Sequence, residues 1–547
     1  MPHADLVFVN GPVFTVDPAR SWARAVAVRG GRIAAVGHEA QIRDLIGPGT
    51  EVVDLKGRLL LPGFQDAHVH PVFGGLTMSR CDLSEAETQE ESLAAVAAYA
   101  AANPGTEWVL GGGWSFDQFP GGMPTRRMLD AIVPDRPVYL QVADGHSGWA
   151  NSRALEIAGL DKNSPDPADG RLEREADGTP AGVLHEGAMG LVGKHAPNPT
   201  REDYLKGLAD GQAYLHSLGI TAWQDAIIGA FGGYNDQYDT YLEAAESGLL
   251  TARVRGCLWW DREQGAEQLD FLLDRRARGT VGRFSCGTIK LMQDGITENF
   301  TAALGESYFD GCGCHTGNQG LSMVDPVLLR DYITLLDAHG FQVHFHAIGD
   351  RALTEVLDAV AAARAANGFN DLRHHIAHVQ IVDPADIPRF RELDVAVNMQ
   401  PLWAAYEKQM HELNIPFLGE KRAAWQYPFR SFQEAGAVLA AGSDWAVSTP
   451  DPMEGIHVAV NRRYPGADEP VFLPEQRIDL ATALAAYTAG SAYVNHLDET
   501  GTIEAGKLAD LVVLDRDPFA GPAEEIHAAK AALTYVEGDR VYAAPDA

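Results

Sequence analysis

His68 and His70 stand two residues apart in QDAHVHP (65–71), at the end of an apolar run. On a strand, residues i and i+2 share a face, so both imidazoles point the same way and can hold one divalent metal. Three further segments end in the same kind of chemistry. HFHAIGD offers His344 and His346, RHHIAHVQ offers His374, His375 and His378, and GSDWAV offers Asp444. A lone histidine on an apolar strand is usually a satisfied core residue. Four segments that each place a ligand-type residue at the same end predict a metal site. His346, the outer of its pair, and His378, deepest into the exit of its apolar stretch, are the expected ligands. The surplus histidines are left as partners of ligands or as surface groups.

GTIKLMQDG (287–295) poses a different problem. It sets a single charge, Lys290, inside an apolar strand, in a chain with only nine lysines. A buried ammonium must snorkel out, pair with an acid or change its chemistry. Beside two divalent cations the neutral amine is favoured, and a neutral amine can add CO2. The resulting carbamate is an anionic oxygen ligand able to bridge two metals. An ion pair between Lys290 and Asp294 at a single-metal site is the competing reading. In either case Asp444 would face a water of lowered pKa, take its proton and pass it to a leaving group. The metals would hold the developing oxyanion of a carbonyl. That chemistry is hydrolysis of an amide or a similar acyl or cyclic C–N bond.

These residues need a frame that brings distant segments to one mouth. Eight apolar strand candidates carry them: 67–70, 220–226, 253–260, 288–295, 341–350, 373–381, 395–401 and 438–447. Amphipathic stretches such as RALTEVLDAVAAARAA (351–366) separate most of them. Strand–helix alternation implies parallel strands with helical crossovers, and eight units fit a (β/α)8 TIM barrel with its chemistry at the C-terminal strand ends. The α/β barrel is expected over 63–494. About 150 residues separate its first strand from its second, so an inserted subdomain is expected over 75–205. Both chain ends, 1–62 and 495–547, alternate short apolar runs with glycine turns and predict a small β-sandwich built from the two termini.

Composition narrows the partners. Acids outnumber bases 75 to 43, a formal charge of −32, which argues against nucleic acid and anionic membranes. The N-terminal MPHADLVFVNGPVF has no secretory pattern and no apolar run reaches membrane-spanning length, so a cytoplasmic protein is expected. Five scattered cysteines give no disulfide framework, and GCGC (311–314) reads as a glycine-rich loop with free thiols.

Taken in order, GRIAAVG, LLLPGFQDAHVHP, GGGWSFDQFPGGMPTRRMLD, DGHSGWANSRAL, IKLMQDG, HFHAIGDRAL, RHHIAHVQ, AGSDWAV and GTIEAGKLADLVVLD resemble the amidohydrolase superfamily. The internal motifs resemble its N-substituted formamide deformylase-like branch. The resemblance covers nearly the whole chain. It implies two zinc ions, the first held by His68, His70, Asp444 and a carboxylated Lys290, the second by the same carbamate with His346 and His378. It also implies that a homodimer is a common arrangement. Ala377 stands where this branch commonly has a glutamate, which puts the substrate in question. Trp114, Trp149 and Trp403 are the candidate substrate-binding residues, suited to a small molecule with an apolar or aryl group. His146, in DGHSGWANSRAL, is expected to hydrogen-bond the substrate carbonyl. Alternatives are a single-metal deaminase, an ester or lactone hydrolase, and a noncatalytic binding protein on this scaffold. The deaminase reading is disfavoured because HFHAIGD has no glutamate to shuttle protons.

Overall fold

A computed structural model describes residues 3–84, 86–231 and 234–545. Its centre is a parallel sheet of eight strands: β1 (Phe64–Val69), β2 (Ile220–Ile228), β3 (Arg253–Trp259), β4 (Phe284–Met292), β5 (Gln342–Ala347), β6 (His375–His378), β7 (Ala396–Met399) and β8 (Leu439–Ala441). Each pairs with its neighbour in chain order. Every residue of β1, β2, β5, β6 and β7 is buried. That is why these segments read as near-continuous apolar runs rather than as alternations. The sheet is a nearly closed TIM barrel. Its seam is joined just beyond β8, where Asp444 N donates to His68 O (2.8 Å) and His70 N donates to Trp445 O (2.7 Å). At Gly442 an added Cβ would come within 2.6 Å of His68 N, so only glycine lets the last strand approach the first this closely.

The crossover helices follow from their sequences. Pro326–Ala338 starts with Asp325 accepting from Val327 N and Leu328 N and with proline in its first turn. It buries Leu329, Ile333 and Leu336 at helical spacing. Asp350–Asn367 buries Leu353, Val356, Leu357 and Val360 and ends at Gly368, whose φ of 79° suits glycine. No helix among the described residues is long and apolar enough to cross a membrane.

Between β1 and β2 lies a separate six-stranded sheet, in the order Gly170–Arg174, Pro180–Glu186, Ser147–Ala150, Val138–Val142, Val109–Trp114 and Cys81–Asp82. It has its own apolar cluster around Trp114, Phe119, Leu140 and Trp149. The boundaries expected at 75 and 205 both fall inside helices, Pro71–Met78 and Arg201–Ser217, which pack on each other. Close packing needs Gly75 here, because a Cβ would come within 1.9 Å of Gly207 O.

The chain ends form two more sheets. One orders Arg32–Gly37, Ala25–Arg29, Leu6–Val9 and Glu51–Asp54. The other orders Asp539–Ala543, Ala531–Val536, Leu511–Leu514, Leu60–Pro62, Val13–Phe14 and Trp22–Ala23, and so mixes both termini. Phe8, Val26 and Val28 of the first share one buried cluster with Leu60, Leu511, Val513 and Tyr535 of the second. An ion pair ties this unit to the barrel: Arg253 of β3 reaches Asp510 (3.1 Å) and Glu537 (2.7 Å).

Candidate metal centre

The seam that closes the barrel also assembles the site. One ligand atom each from His68, His70 and Asp444 lies within 4.8 Å of the others. Asp444 Oδ1 is 3.3 Å from His68 Nε2 and 3.0 Å from His70 Nε2. Its Oδ2 is 3.8 Å from His378 Nδ1. The His378 ring centroid is 4.9 Å from that of His68 and 4.4 Å from that of His346. Both Asp444 (φ 57°) and His378 (φ 79°) hold left-handed backbone, which costs about 1–3 kcal/mol per residue and clusters at functional sites.

Lys290 sits on the neighbouring strand, opposite His344 on one side and Trp259 on the other. Burial draws its amine down to about 8, against the opposing pull of Asp444. The alternative partner, Asp294, is otherwise engaged. Its carboxylate accepts from Ala303 N (2.9 Å), Ile348 N (3.0 Å) and Gly349 N (2.8 Å), pinning the loops after β4 and β5 together.

His344 is not a ligand candidate but the orienting partner of one. Gln342 Nε2 donates to the backbone carbonyls of Arg373 and Val494, both at 2.8 Å. Carbonyls only accept, so the other end of this amide must be Oε1, which accepts from Thr288 Oγ1 (2.6 Å) and Gln224 Nε2 (3.4 Å). Gln224 Oε1 then accepts from His344 Nδ1 (2.6 Å). His344 Nε2 is left to accept from His68 Nδ1 (2.8 Å). The chain of donors ends with His68 Nε2 as a bare lone pair facing Asp444. Two backbone carbonyls deep in the barrel thus set the tautomer of a ligand.

The other histidines divide by face. His375 lies inside the barrel, its ring 4.3 Å from that of His344. His374 points to the helix layer, with Nε2 3.0 Å from Asp337 Oδ2. His346 Nε2 donates to Gly295 O (3.2 Å), which leaves Nδ1 as its free lone pair.

The donor set fits a divalent metal. Burial pulls His68 down to about 3 and holds His346 and His378 well below the usual imidazole range, so all three are neutral donors. Despite its burial the Asp444 carboxyl lies well below the usual range and is ionised, with His70 Nε2 3.0 Å from its Oδ1. His378 Nδ1 is buried without a hydrogen-bond partner 3.8 Å from Asp444 Oδ2, a costly state that coordination at this nitrogen would relieve.

His146 reaches the site from the inserted sheet. Its ring centroid is 5.3 Å from that of His346, and its Nδ1 lies 3.0 Å from both carboxylate oxygens of Glu186. Burial alone would lower this imidazole, but the Glu186 charge outweighs it and the pKa rises to about 9. Glu186 was not expected from the sequence. The pair spans 40 residues and meets only because Ser147–Ala150 and Pro180–Glu186 run antiparallel, with Ser147 opposite His185. No short motif signals such a pairing.

The tryptophans separate. Trp403 stacks on His378 at 5.4 Å and 14°. Trp114 and Trp149 do not reach the mouth, contrary to expectation. Both are fully buried in the inserted sheet's own core, with Nε1 donating to Leu140 O (2.9 Å) and Thr125 O (3.0 Å). An indole covered on both faces with its N–H satisfied by backbone has nothing left to offer a substrate. Cys312 and Cys314 are free and exposed.

Comparison with known proteins adds to this geometry. A model of the amidohydrolase family matches residues 51–542. The protein LONG AFTER FAR-RED 3 of Arabidopsis thaliana is 34% identical over 548 residues, covering 98% of this chain and 92% of that protein. The N-substituted formamide deformylase of Arthrobacter pascens is 29% identical over 552 residues, covering 98% and 97%. Among solved structures, an uncharacterized metal-dependent hydrolase from Pyrococcus furiosus superposes with a TM-score of 0.71 at 26% identity, covering 94% of this chain and 99% of that one.

Proposed function

This chain belongs to the amidohydrolase family, and we propose that it hydrolyses a non-peptide C–N bond, an N-formyl, N-acyl or cyclic amide, at a centre of two zinc ions. The observation that carries the reading is the convergence of His68, His70 and Asp444 at the barrel seam with His378 beside them. His68, His70 and Asp444 would hold one metal and His346 and His378 a second, with Lys290 as its CO2 adduct supplying a further anionic oxygen ligand. Bound there, the metals supply Lewis acidity and lower the pKa of water toward neutrality. Asp444 takes the water's proton and delivers it to the leaving nitrogen. His146 binds the substrate carbonyl through Nε2, the ring nitrogen that Glu186 leaves free. Trp403, stacked on His378, favours a small substrate with an apolar or aryl group. The terminal sheets, read as one β-sandwich around 1–62 and 495–547, brace the barrel from outside through Arg253.

The test combines metal analysis with a substrate screen. Zinc-loaded protein, with two metals per chain, is assayed on N-substituted formamides first, as the deformylase relative suggests, then on N-acyl and cyclic amides. We expect turnover that Asp444→Asn abolishes while zinc stays bound at one site or more. Turnover unchanged in Asp444→Asn overturns the role of Asp444. A loaded wild-type enzyme that opens esters or lactones but no amide overturns the C–N assignment.

A further inference from the structure

Glu186 is the last residue of its strand and holds left-handed backbone at φ 51°. Its side chain is 5% exposed. Burying an acid is costly unless its oxygens are engaged. They are, by three side chains from two parts of the chain. His146 Nδ1 lies 3.0 Å from both oxygens, Thr301 Oγ1 donates to Oε1 at 2.8 Å, and Asn299 Nδ2 donates to Oε1 at 3.2 Å. The backbone repeats the link, since Glu186 N donates to His146 O at 3.0 Å. Asn299 and Thr301 belong to the loop that follows β4, the strand of Lys290. A single carboxylate therefore fixes a ring of the inserted sheet against a loop of the barrel.

We propose that Glu186 is the positioning residue of His146. It keeps a proton on Nδ1 and fixes the ring plane, so that Nε2 is the nitrogen presented beside His346. The logic is that of any imidazole oriented by a carboxylate on its far nitrogen. The inference rests on the reading of His146 as the group that binds the substrate carbonyl. A second function follows from the Asn299 and Thr301 bonds: the inserted sheet is set in place relative to the barrel mouth by the same carboxylate that aims the histidine. Glu186 also lines a cavity of about 390 Å³ together with Arg171, Asn299, Phe300, Thr301 and Leu321.

A double-mutant cycle on the zinc-loaded full chain tests this. His146→Ala alone is expected to lower kcat by about 100-fold or more, the usual scale of a positioned proton donor. Glu186→Gln alone is expected to lower kcat by roughly tenfold or more with KM nearly unchanged. In the His146→Ala background, Glu186→Gln is expected to cost nothing further, because the amide oxygen still accepts from Asn299 and Thr301 and only the bond to the ring is changed. Selectively 15N-labelled histidine should report Nδ1 of His146 protonated in the wild type and a changed pattern in Glu186→Gln. Thr301→Val, which removes one donor to Glu186 without touching His146, should give a smaller loss and serves if Glu186→Gln folds poorly. Equal losses from Glu186→Gln with and without His146 would show a merely structural role and overturn the proposal. So would wild-type kcat in Glu186→Gln. Wild-type kcat in His146→Ala overturns the reading beneath it instead, so the two failures are distinguishable.

Discussion

Replacing His344 by phenylalanine tests the orientation of the metal centre from below. The ring shape is retained, but two short hydrogen bonds vanish, 2.6 Å to Gln224 Oε1 and 2.8 Å to His68 Nδ1. Gln224 Oε1 and His68 Nδ1–H are left buried without those partners, at about 1–3 kcal/mol each. The larger consequence is at the metal. Without His344 Nε2 as acceptor, nothing selects the tautomer that leaves the His68 Nε2 lone pair facing Asp444. Losing an orienting partner of a ligand costs roughly 10- to 100-fold in metal affinity. Zinc affinity is measured by competition with a chromophoric chelator at fixed pH, and stability by urea denaturation. The control is His375→Phe. His375 packs on the same ring at 4.3 Å, holds no bond to His68, and already has an unpartnered Nε2. It should leave zinc affinity near the wild-type value. If His344→Phe binds zinc as the wild type does, or if His375→Phe weakens it equally, the donor chain from Gln342 to His68 does not set the ligand.

Three further outcomes are expected. Arg253→Ala should destabilise the protein by about 3–5 kcal/mol in urea, because it strands Asp510, a carboxylate with 1% side-chain exposure; adding Asp510→Asn should restore part of this, and no restoration would refute the ion-pair account. Trp149→Phe should lower Tm through the lost bond to Thr125 O, at about 1–2 kcal/mol, while kcat/KM stays within about twofold; a selective rise in KM would return Trp149 to the substrate pocket. His146, raised by Glu186 from 6.5 to about 9 against the effect of burial, should contribute stability that is full below pH about 6.5 and lost as the pH rises through about 9, by roughly 3 kcal/mol in all. Denaturation of the metal-free protein between pH 6 and 10 checks the sign, and a slope that persists in His146→Gln assigns it to another group.

What could be read from the sequence was set by local periodicity. All eight barrel strands overlap the apolar runs, because strands buried on both faces leave an uninterrupted signature; five lie wholly inside, while Phe64–Val69 and Phe284–Met292 begin earlier and Ile220–Ile228 runs on further. His68 and His70 could be paired from spacing alone, since i and i+2 share a face. The selection of His346 over His344 used the same rule, and the structure gives His344 its own task beneath His68. Residues that meet through antiparallel pairing or across the barrel were not legible. Glu186 and Gln224 act at 40 and 120 residues from their partners, His146 and His344, and nothing near them in the chain marks the contact. Trp114 and Trp149 misled for the opposite reason. Composition announces an aromatic cluster but not whether it faces a mouth or fills a core, and here a sheet with its own interior claimed them. The helices Pro71–Met78 and Arg201–Ser217, which hold positions 75 and 205, pack on each other, a contact that spacing along the chain does not signal.

The barrel seam has a consequence for how this protein is made. Asp66 and Ser443, whose side chains bond at 2.6 Å across the closure, are 377 residues apart in the chain. On a ribosome, the segment bearing His68 and His70 emerges long before the segment bearing Asp444. Until the later segment arrives, the first strand has an open edge and two imidazoles with no carboxylate between them. A polypeptide truncated ahead of residue 439 lacks the last barrel strand and Asp444, so it can neither close the ring nor bring a carboxylate to His68 and His70. Assembly of the candidate centre is thereby tied to arrival of the last barrel strand, and a metal ion held by His68, His70 and Asp444 would clasp the seam.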